Sequence, residues 1–269
     1  MTSDGHPDHP HSSPFTLAVD IGGTGIKVLV LDRDGQPASD RTADKTPHPA
    51  TPDAVLDVIA TLAAAHPAFD RVAAGFPGVV RNGVTETAHN LDPAWIGFNL
   101  AEALSKRLGK PARVANDADI QGFGAIEGRG VEMVLTLGTG LGAALFVHGV
   151  LVPNLELAHH PFRKGKTYEE LLGKAALEKY GETKWLKQLH RAITLVRQTF
   201  NFDVLYLGGG NSKRLEHDKL PADVRIVPNV AGLLGGIALW NPLHETELLC
   251  APQAPTTRGR AAVKSALQA

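Results

Sequence analysis

The sequence predicts an α/β fold with mixed sheets, and three observations carry that prediction. Short apolar, β-branched runs alternate with longer stretches of helical periodicity. The first two apolar runs are separated only by a glycine turn, so the chain opens strand–turn–strand rather than strand–helix. The same strand–turn–strand unit then returns about half a chain later, as an internal repeat.

The first strand is expected over Phe15 to Val19 and the second over Ile26 to Leu31, with IGGTG between them and a polar turn, Asp32 to Gly35, after them. Ile26, Val28 and Val30 continue a β-rich run. That excludes a dinucleotide-binding fingerprint and a P-loop, which both need a helix directly after their glycines. A helix follows over Pro52 to Ala65. Thr51 is its N-cap, Pro52 suits its first turn, and Val55, Val58, Ile59 and Leu62 form one apolar stripe. Val72 to Ala74 is a buried strand running into GFPG. Asn99 opens a second helix with Glu102 as its capping partner. Arg113 to Ala115 is a short strand ending at Asn116-Asp117, and a helix is expected from there through Glu127. The repeat comprises Met133 to Leu137, the turn GTGLG, Ala143 to Val147 and a turn at His148-Gly149. Helices are expected over Tyr168 to Tyr180 and Trp185 to Phe200, and strands over Val204 to Leu207 and Arg225 to Val227. A glycine-containing helix, Ala231 to Trp240, closes the pattern.

The chain of 269 residues suffices for one large domain or two modest lobes. A formal net charge of -1 gives no electrostatic case for nucleic acid. The single cysteine, Cys250, excludes an intramolecular disulfide and a multi-cysteine zinc site, and fits a cytoplasmic protein. No apolar run approaches the ~20 residues of a membrane helix, so no membrane partner is expected. Residues 1–14 are polar and lack a signal-peptide core. Their histidines, His6, His9 and His11, could catch a metal, and the competing expectation is a plain disordered tail. Residues 246–269 are expected to be loose as well.

A Gly-Thr-Gly turn lets backbone N–H groups approach phosphate oxygens with no Cβ in the way, and the threonine adds a donor. Two such turns on equivalent hairpins, Gly23 to Gly25 and Gly138 to Gly140, could clamp a phosphate chain from both sides. Asp20 ends the first strand beside its turn, where a carboxylate could hold Mg2+ directly or through water, or could stabilise the turn itself. Lys27 could reach a transferred phosphate or face solvent. Asp117 could accept the proton of a sugar hydroxyl, while the rival reading of Asn116-Asp117 is a helix cap. Asp119 competes for the role but would point elsewhere on the first helical turn. Glu156 and His159, three apart, could read adjacent sugar hydroxyls, with a metal as the rival ligand.

DIGGTGIK, GFPGVV, Asn116-Asp117, LGTGLG, Glu156-Leu-Ala-His159 and LGGGNSK, in this order, resemble the ROK sugar kinases of the actin/hexokinase superfamily. The likeness spans roughly Phe15 to Trp240. It implies a two-lobed actin-like ATPase (ribonuclease H-like) fold, each lobe a mixed five-stranded sheet flanked by helices. The lobes would cover residues 15–115 and 116–245. The resemblance also implies roles. Asp20, Gly22, Gly23, Thr24 and Lys27 match the first phosphate motif, with Asp20 the Mg2+ group, and Gly138, Thr139 and Gly140 match the second. Asp117 matches the catalytic base. Asn90, Asn116, Glu156 and His159 match sugar contacts, with Gly75 and Gly78 shaping the pocket and Glu169 the counterpart of a further carboxylate. Gly208, Gly209 and Gly210 match the strand end that faces the nucleotide in ATP-using members.

Two departures are visible. Many members carry a Cys-rich zinc loop that this chain cannot form, so no structural zinc is expected, and Ala158 replaces a usual glycine. The short, zinc-free form with KGKTYEE looks like the polyphosphate glucokinase branch of the family. Arg163, Lys164 and Lys166 could line a polyanion path, or form a solvated basic loop. The expectation is therefore phosphoryl transfer from polyphosphate, ATP or both to the 6-hydroxyl of glucose, by a homodimer. The alternatives are an ATP-dependent kinase acting on glucose, mannose or fructose, and a non-catalytic sugar-sensing protein. A sugar-responsive regulator would carry a DNA-binding domain ahead of Phe15, and about 14 residues are too few for one.

Overall fold

A computed structural model describes residues 14–88, 91–228 and 231–241. The expected tails, apart from Pro14, and the candidate Asn90 lie outside the described residues.

The first lobe runs β1 (Thr16–Ile21), β2 (Gly25–Leu31), β3 (Thr42–Lys45), α1 (Pro52–Ala64), β4 (Arg71–Phe76), β5 (Val80–Arg81), β6 (Val84–Thr85), β7 (Phe98–Asn99), α2 (Leu100–Leu108) and β8 (Ala112–Asn116). The helix α3 (Asp117–Phe123) follows. The second lobe runs β9 (Val131–Leu137), β10 (Leu141–Val147), β11 (Val150–Val152), β12 (Pro161–Arg163), β13 (Lys166–Thr167), α4 (Tyr168–Leu172), α5 (Lys174–Tyr180), α6 (Glu182–Phe200), β14 (Val204–Gly208) and β15 (Val224–Ile226). The short α7 (Ala231–Leu234) continues as a 3-10 turn, Gly235–Trp240.

The two main sheets have one topology. Their strand orders are β3-β2-β1-β4-β8 and β11-β10-β9-β14-β15. In each, the first strand pairs antiparallel with the second and parallel with the fourth. The repeat in the sequence is thus the start of a repeat of whole five-stranded mixed sheets.

Local chemistry sets the helices. Thr51 caps α1 by accepting the Ala54 N–H, and Val55, Leu56, Ile59 and Ala63 bury one face. Asn99 caps α2, and Gly109, at φ +66°, ends it in the left-handed region. Trp185, Leu189, Ala192, Ile193 and Val196 form the buried stripe of α6. Two expected helices are shorter than their pattern. The one begun at Asp117 stops at Phe123, with Gly124 as its C-cap, rather than reaching Glu127. The helix expected over Tyr168 to Tyr180 breaks at Gly173, whose extended backbone packs on Thr139 and lets the Lys174 N–H reach the Gly138 carbonyl at 3.0 Å.

Residues 231–241 do not stay with the second lobe, as the expected 116–245 range would place them. Leu233 packs with Ala18, Leu29 and Leu31, and Leu239 with Ala73, Ala115 and Ile120. The Arg113 guanidinium lies 4.3 Å from the Trp240 ring centre and donates to the Leu239 carbonyl at 2.7 Å. The chain therefore crosses between the lobes twice, with α3 at one crossing and α7 beyond the other.

This return is held by close approach. A Cβ on Gly235 would run into the Ile120 carbonyl and the Gly124 N–H of α3. Gly235→Ala should destabilise the protein by about 1–3 kcal/mol through overpacking. A thermal melt should then show a midpoint several degrees lower, and an unchanged midpoint would remove this contact from the stability of the fold.

Candidate active site

The ends of β1, β4, β8 and β9 open on a cleft of about 500 Å3 between the lobes. The two Gly-Thr-Gly turns line it from opposite lobes. The first is closed by Gly22 N–H to the Gly25 carbonyl (3.0 Å), the second by Gly138 N–H to the Gly140 carbonyl (3.1 Å). The N–H groups of Gly23, Thr24, Thr139 and Gly140 have no acceptor among the described residues. Unspent backbone donors in a polar cleft form a site for anionic oxygens. The second turn is also braced from behind. Its Gly138 carbonyl accepts from the Lys174 N–H and from Asn211 Nδ2, each at 3.0 Å. Glu169 Oε2 accepts the Leu141 N–H at 3.2 Å, in space that a Cβ on Gly140 would fill. Glu169, expected among the sugar contacts, thus lines the cleft beneath the second turn.

Only the first hairpin is charged at the ladder position beside its turn. Asp20 and Lys27 face each other across β1 and β2, and Lys27 Nζ lies 2.6 Å from Asp20 Oδ2. The corresponding pair in the second hairpin is Thr136 and Gly142.

Of the two readings that the sequence left open for Asn116-Asp117, the capping role falls to Asn116. Its Oδ1 accepts the Ala118 N–H at 2.8 Å and the Asp119 N–H at 3.4 Å, while its Nδ2 donates to the Gly78 carbonyl at 3.0 Å. Asp117 keeps one hydrogen bond among the described residues, from the Ala118 N–H. The cleft leaves the residue partly exposed, yet protein encloses its carboxyl. Burial, then the charge of Asp20 and more weakly that of Glu156, pushes it up to about 7, against the pull of the Ala118 N–H and Lys27. Asp119 does turn away from the cleft. It is 2 % exposed, its Oδ2 accepts the Asn154 N–H at 3.5 Å, and its Oδ1 has no partner among the described residues. Burial raises it to about 8.

Glu156 and His159 line the cleft opposite, with Oε2 and Nε2 3.8 Å apart. Gly78 shares the lining, and so do Gly209, at φ +83°, and Gly210. Gly75 and Gly208 do not line it. They occupy equivalent places, beside Asp20 and Thr136 on the neighbouring strands, and make room for Asp117 and for the Gln121 amide respectively. Gly208, expected at the strand end facing the nucleotide, thus lies one residue short of the lining. Four polar lining residues were not anticipated: Gln121, Thr136, Lys174 and Asn211. Gln121 lies four residues after Asp117 on one helix face, and Asn211 directly follows the triple glycine, so both carried a signal. Lys174 carried none.

Among the described residues no three or more His, Cys, Asp or Glu gather as a metal site. A magnesium ion needs fewer, because it takes one or two carboxylates and fills its shell with water and phosphate oxygens. Asp20, close enough to Asp117 to raise it, fits that demand.

Two sheets of one topology, facing each other across a cleft with a Gly-Thr-Gly turn from each, define the two-lobed actin-like ATPase fold. The ROK family profile matches residues 16–153, and the chain belongs to that family. It is 35 % identical over 235 residues to a polyphosphate glucokinase from Mycobacterium tuberculosis, covering 81 % of this chain and 88 % of the relative. The structure of an inorganic polyphosphate/ATP-glucomannokinase from Arthrobacter sp. strain KM superposes with a TM-score of 0.77 at 34 % identity, covering 85 % of this chain and all of the other. A ROK family glucokinase from Streptomyces griseus shares the fold, with a TM-score of 0.70 at 21 % identity over 84 % of this chain and 98 % of that one.

The buried Asp119 makes a prediction. Its folded-state value is raised from 3.8 to about 8, so folding favours its protonated form. The stability it lends is complete below its unfolded value and is lost as pH rises towards 8. Asp119→Asn should flatten the fall of melting temperature with pH across that window. Parallel curves for the two proteins would overturn the assignment.

Proposed function

We propose that the chain transfers the terminal phosphoryl group of inorganic polyphosphate, ATP or both to the 6-hydroxyl of glucose. The observation that carries this reading is the Asp117 carboxyl, raised to about 7 in a cleft between two turns with unspent N–H donors. The names of the Mycobacterium and Arthrobacter proteins support the donor and the sugar. Acceptance of mannose as well is a second reading, favoured by the glucomannokinase likeness.

Glu156 and His159 would hold sugar hydroxyls, with Asn116 and Gly78 forming the wall beside Asp117. Asp117 would orient the 6-hydroxyl and take its proton as the oxygen attacks phosphorus. The new O–P bond forms as the bond from that phosphorus to its bridging oxygen breaks, and the donor leaves one phosphate shorter. The four turn N–H groups and Lys27 would stabilise charge on the equatorial oxygens. Mg2+, held by Asp20 directly or through water, supplies further neutralisation of the phosphate oxygens when bound. Closure of the lobes would exclude water, the competing acceptor. A homodimer and a cytoplasmic location belong to the same proposal. They rest on the family likeness and, for the location, on the lone Cys250.

Asp117→Ala should cut turnover roughly a hundred- to ten-thousand-fold while glucose affinity stays within a few-fold, measured by coupled assay and calorimetry. Turnover close to wild type would sink the role of Asp117. A panel of polyphosphate, ATP and GTP decides the donor.

The acid limb of kcat/KM should lie near pH 7, because the base works only when ionised and burial holds it up to about 7. Asp20→Asn removes a neighbouring negative charge and releases Lys27, so the limb should move to lower pH whatever happens to kcat. A limb that stays in place would show that another group titrates there.

A further inference from the structure

The second lobe holds another depression, of about 290 Å3. The layer α4–α5 connects it to the cleft: Glu169 and Lys174 line the cleft, while Leu171 and Tyr180 line the depression. Five cations converge there, Arg163, Lys164 and Lys166 from the β12–β13 hairpin and Lys184 and Lys187 from α6, and no carboxylate lines it. In a chain of net charge -1, this is a local departure. Lys166 reaches Glu170 at 3.8 Å, in a half-exposed pair. Arg163, Lys164, Lys184 and Lys187 have no ion-pair partner among the described residues. Like charges gathered without counter-charge repel one another and lend the fold nothing.

The hairpin turn adds an independent observation. Lys164 and Gly165 form a two-residue loop at φ +52° and +71°. Such turns favour Asn or Asp followed by Gly, and a lysine in the left-handed region is strained. Strained backbone clusters at active sites and ligand clamps.

We propose that this depression docks inorganic polyphosphate, holding the stretch of chain beyond the phosphates seated in the cleft. This rests on the reading of polyphosphate as a donor. A linear polyanion carries charge on every unit, so it can pair with the second turn and the lysines at once. The helix α5, which joins the two places, has seven residues and spans on the order of 10 Å. ATP ends in an uncharged nucleoside and has nothing to offer the far cations. Docking of the chain raises the local concentration of its end at the cleft, which lowers KM and leaves kcat alone.

The test uses Lys164→Ala/Lys184→Ala/Lys187→Ala, all at exposed positions, beside the triple Lys→Arg variant that keeps the charge. Binding of long-chain sodium polyphosphate is measured by calorimetry without sugar, then KM and kcat with long-chain polyphosphate, tripolyphosphate and ATP. The expected result is a roughly tenfold weaker Kd and higher KM for the long chain alone, restored by Lys→Arg and reduced by salt in the wild type. Unchanged binding in the Ala variant overturns the proposal, as does an equal loss for ATP. If the wild type binds the long chain through these lysines but never uses it as a donor, the donor reading fails and the docking site stands.

Discussion

The cleft depends on how tightly α3 is held between the two lobes. Its seven residues carry both the cap, just before them, and the raised carboxyl at their start. Glycines surround the helix. Gly75 of the first sheet admits Asp117, Gly208 of the second admits Gln121, Gly142 meets Ala118, and Gly122 lies against the Phe146 ring. Gly75 and Gly208 hold the same register in their two sheets, so residues four apart on one face of α3 are seated by equivalent positions of the repeat. A side chain at Gly122 would run into the Phe146 ring and one at Gly142 into Ala118, and either would push α3 off its seat. Interiors are packed too densely to absorb such a shift.

That seating has an electrostatic cost. Asp20 and Glu156 raise Asp117, Asp117 and Glu156 raise Asp119, and Lys27 pulls Asp117 the other way. Water would screen these charges in an open site, but burial removes it from Asp117 and Asp119 first. The result is a carboxyl near neutrality beside one protonated at neutral pH. Asn154 ties this buried corner to the other lobe. Its N–H reaches Asp119, and its side chain exchanges two hydrogen bonds with the Val80 backbone, at 3.1 and 3.2 Å. The inter-lobe connection and the tuned carboxyl therefore share one small cluster.

Much of this was legible in the sequence because the signals were local. The strand–turn–strand opening, its repeat, the caps Thr51 and Asn99, and the pairing of Glu156 with His159 follow from short-range pattern. The strands β3 and β11, and the small sheet of β5, β6 and β7, were missed, being only two to four residues long. The break at Gly173 was missed because its cause is tertiary: the Lys174 N–H has a partner in a turn more than thirty residues earlier. The return of residues 231–241 to the first sheet is likewise written in complementary surfaces, Leu233 and Leu239 against two faces of that lobe, rather than in periodicity. At Gly208 the motif match implies a ligand, and the structure adds a packing neighbour that no motif encodes, the Gln121 amide.

The repeat also explains why the site is lopsided. One backbone plan supplies two equivalent turns with equivalent free donors, and symmetry alone would make two equivalent half-sites. The side chains break that symmetry at the ladder position beside each turn, Asp20 with Lys27 in the first lobe and Thr136 with Gly142 in the second. The first lobe thus sets charges that can tune a proton acceptor and hold a cation. The second presents an uncharged turn whose carbonyls are already engaged by the start of α5 and by Asn211. An anion resting on that turn meets its backbone donors, while the Glu169 carboxylate beneath it accepts the Leu141 N–H. The direction in which a long phosphate chain leaves the cleft is then set by electrostatics: away from the acidic first-lobe corner, along α5 and towards the unpaired lysines of α6.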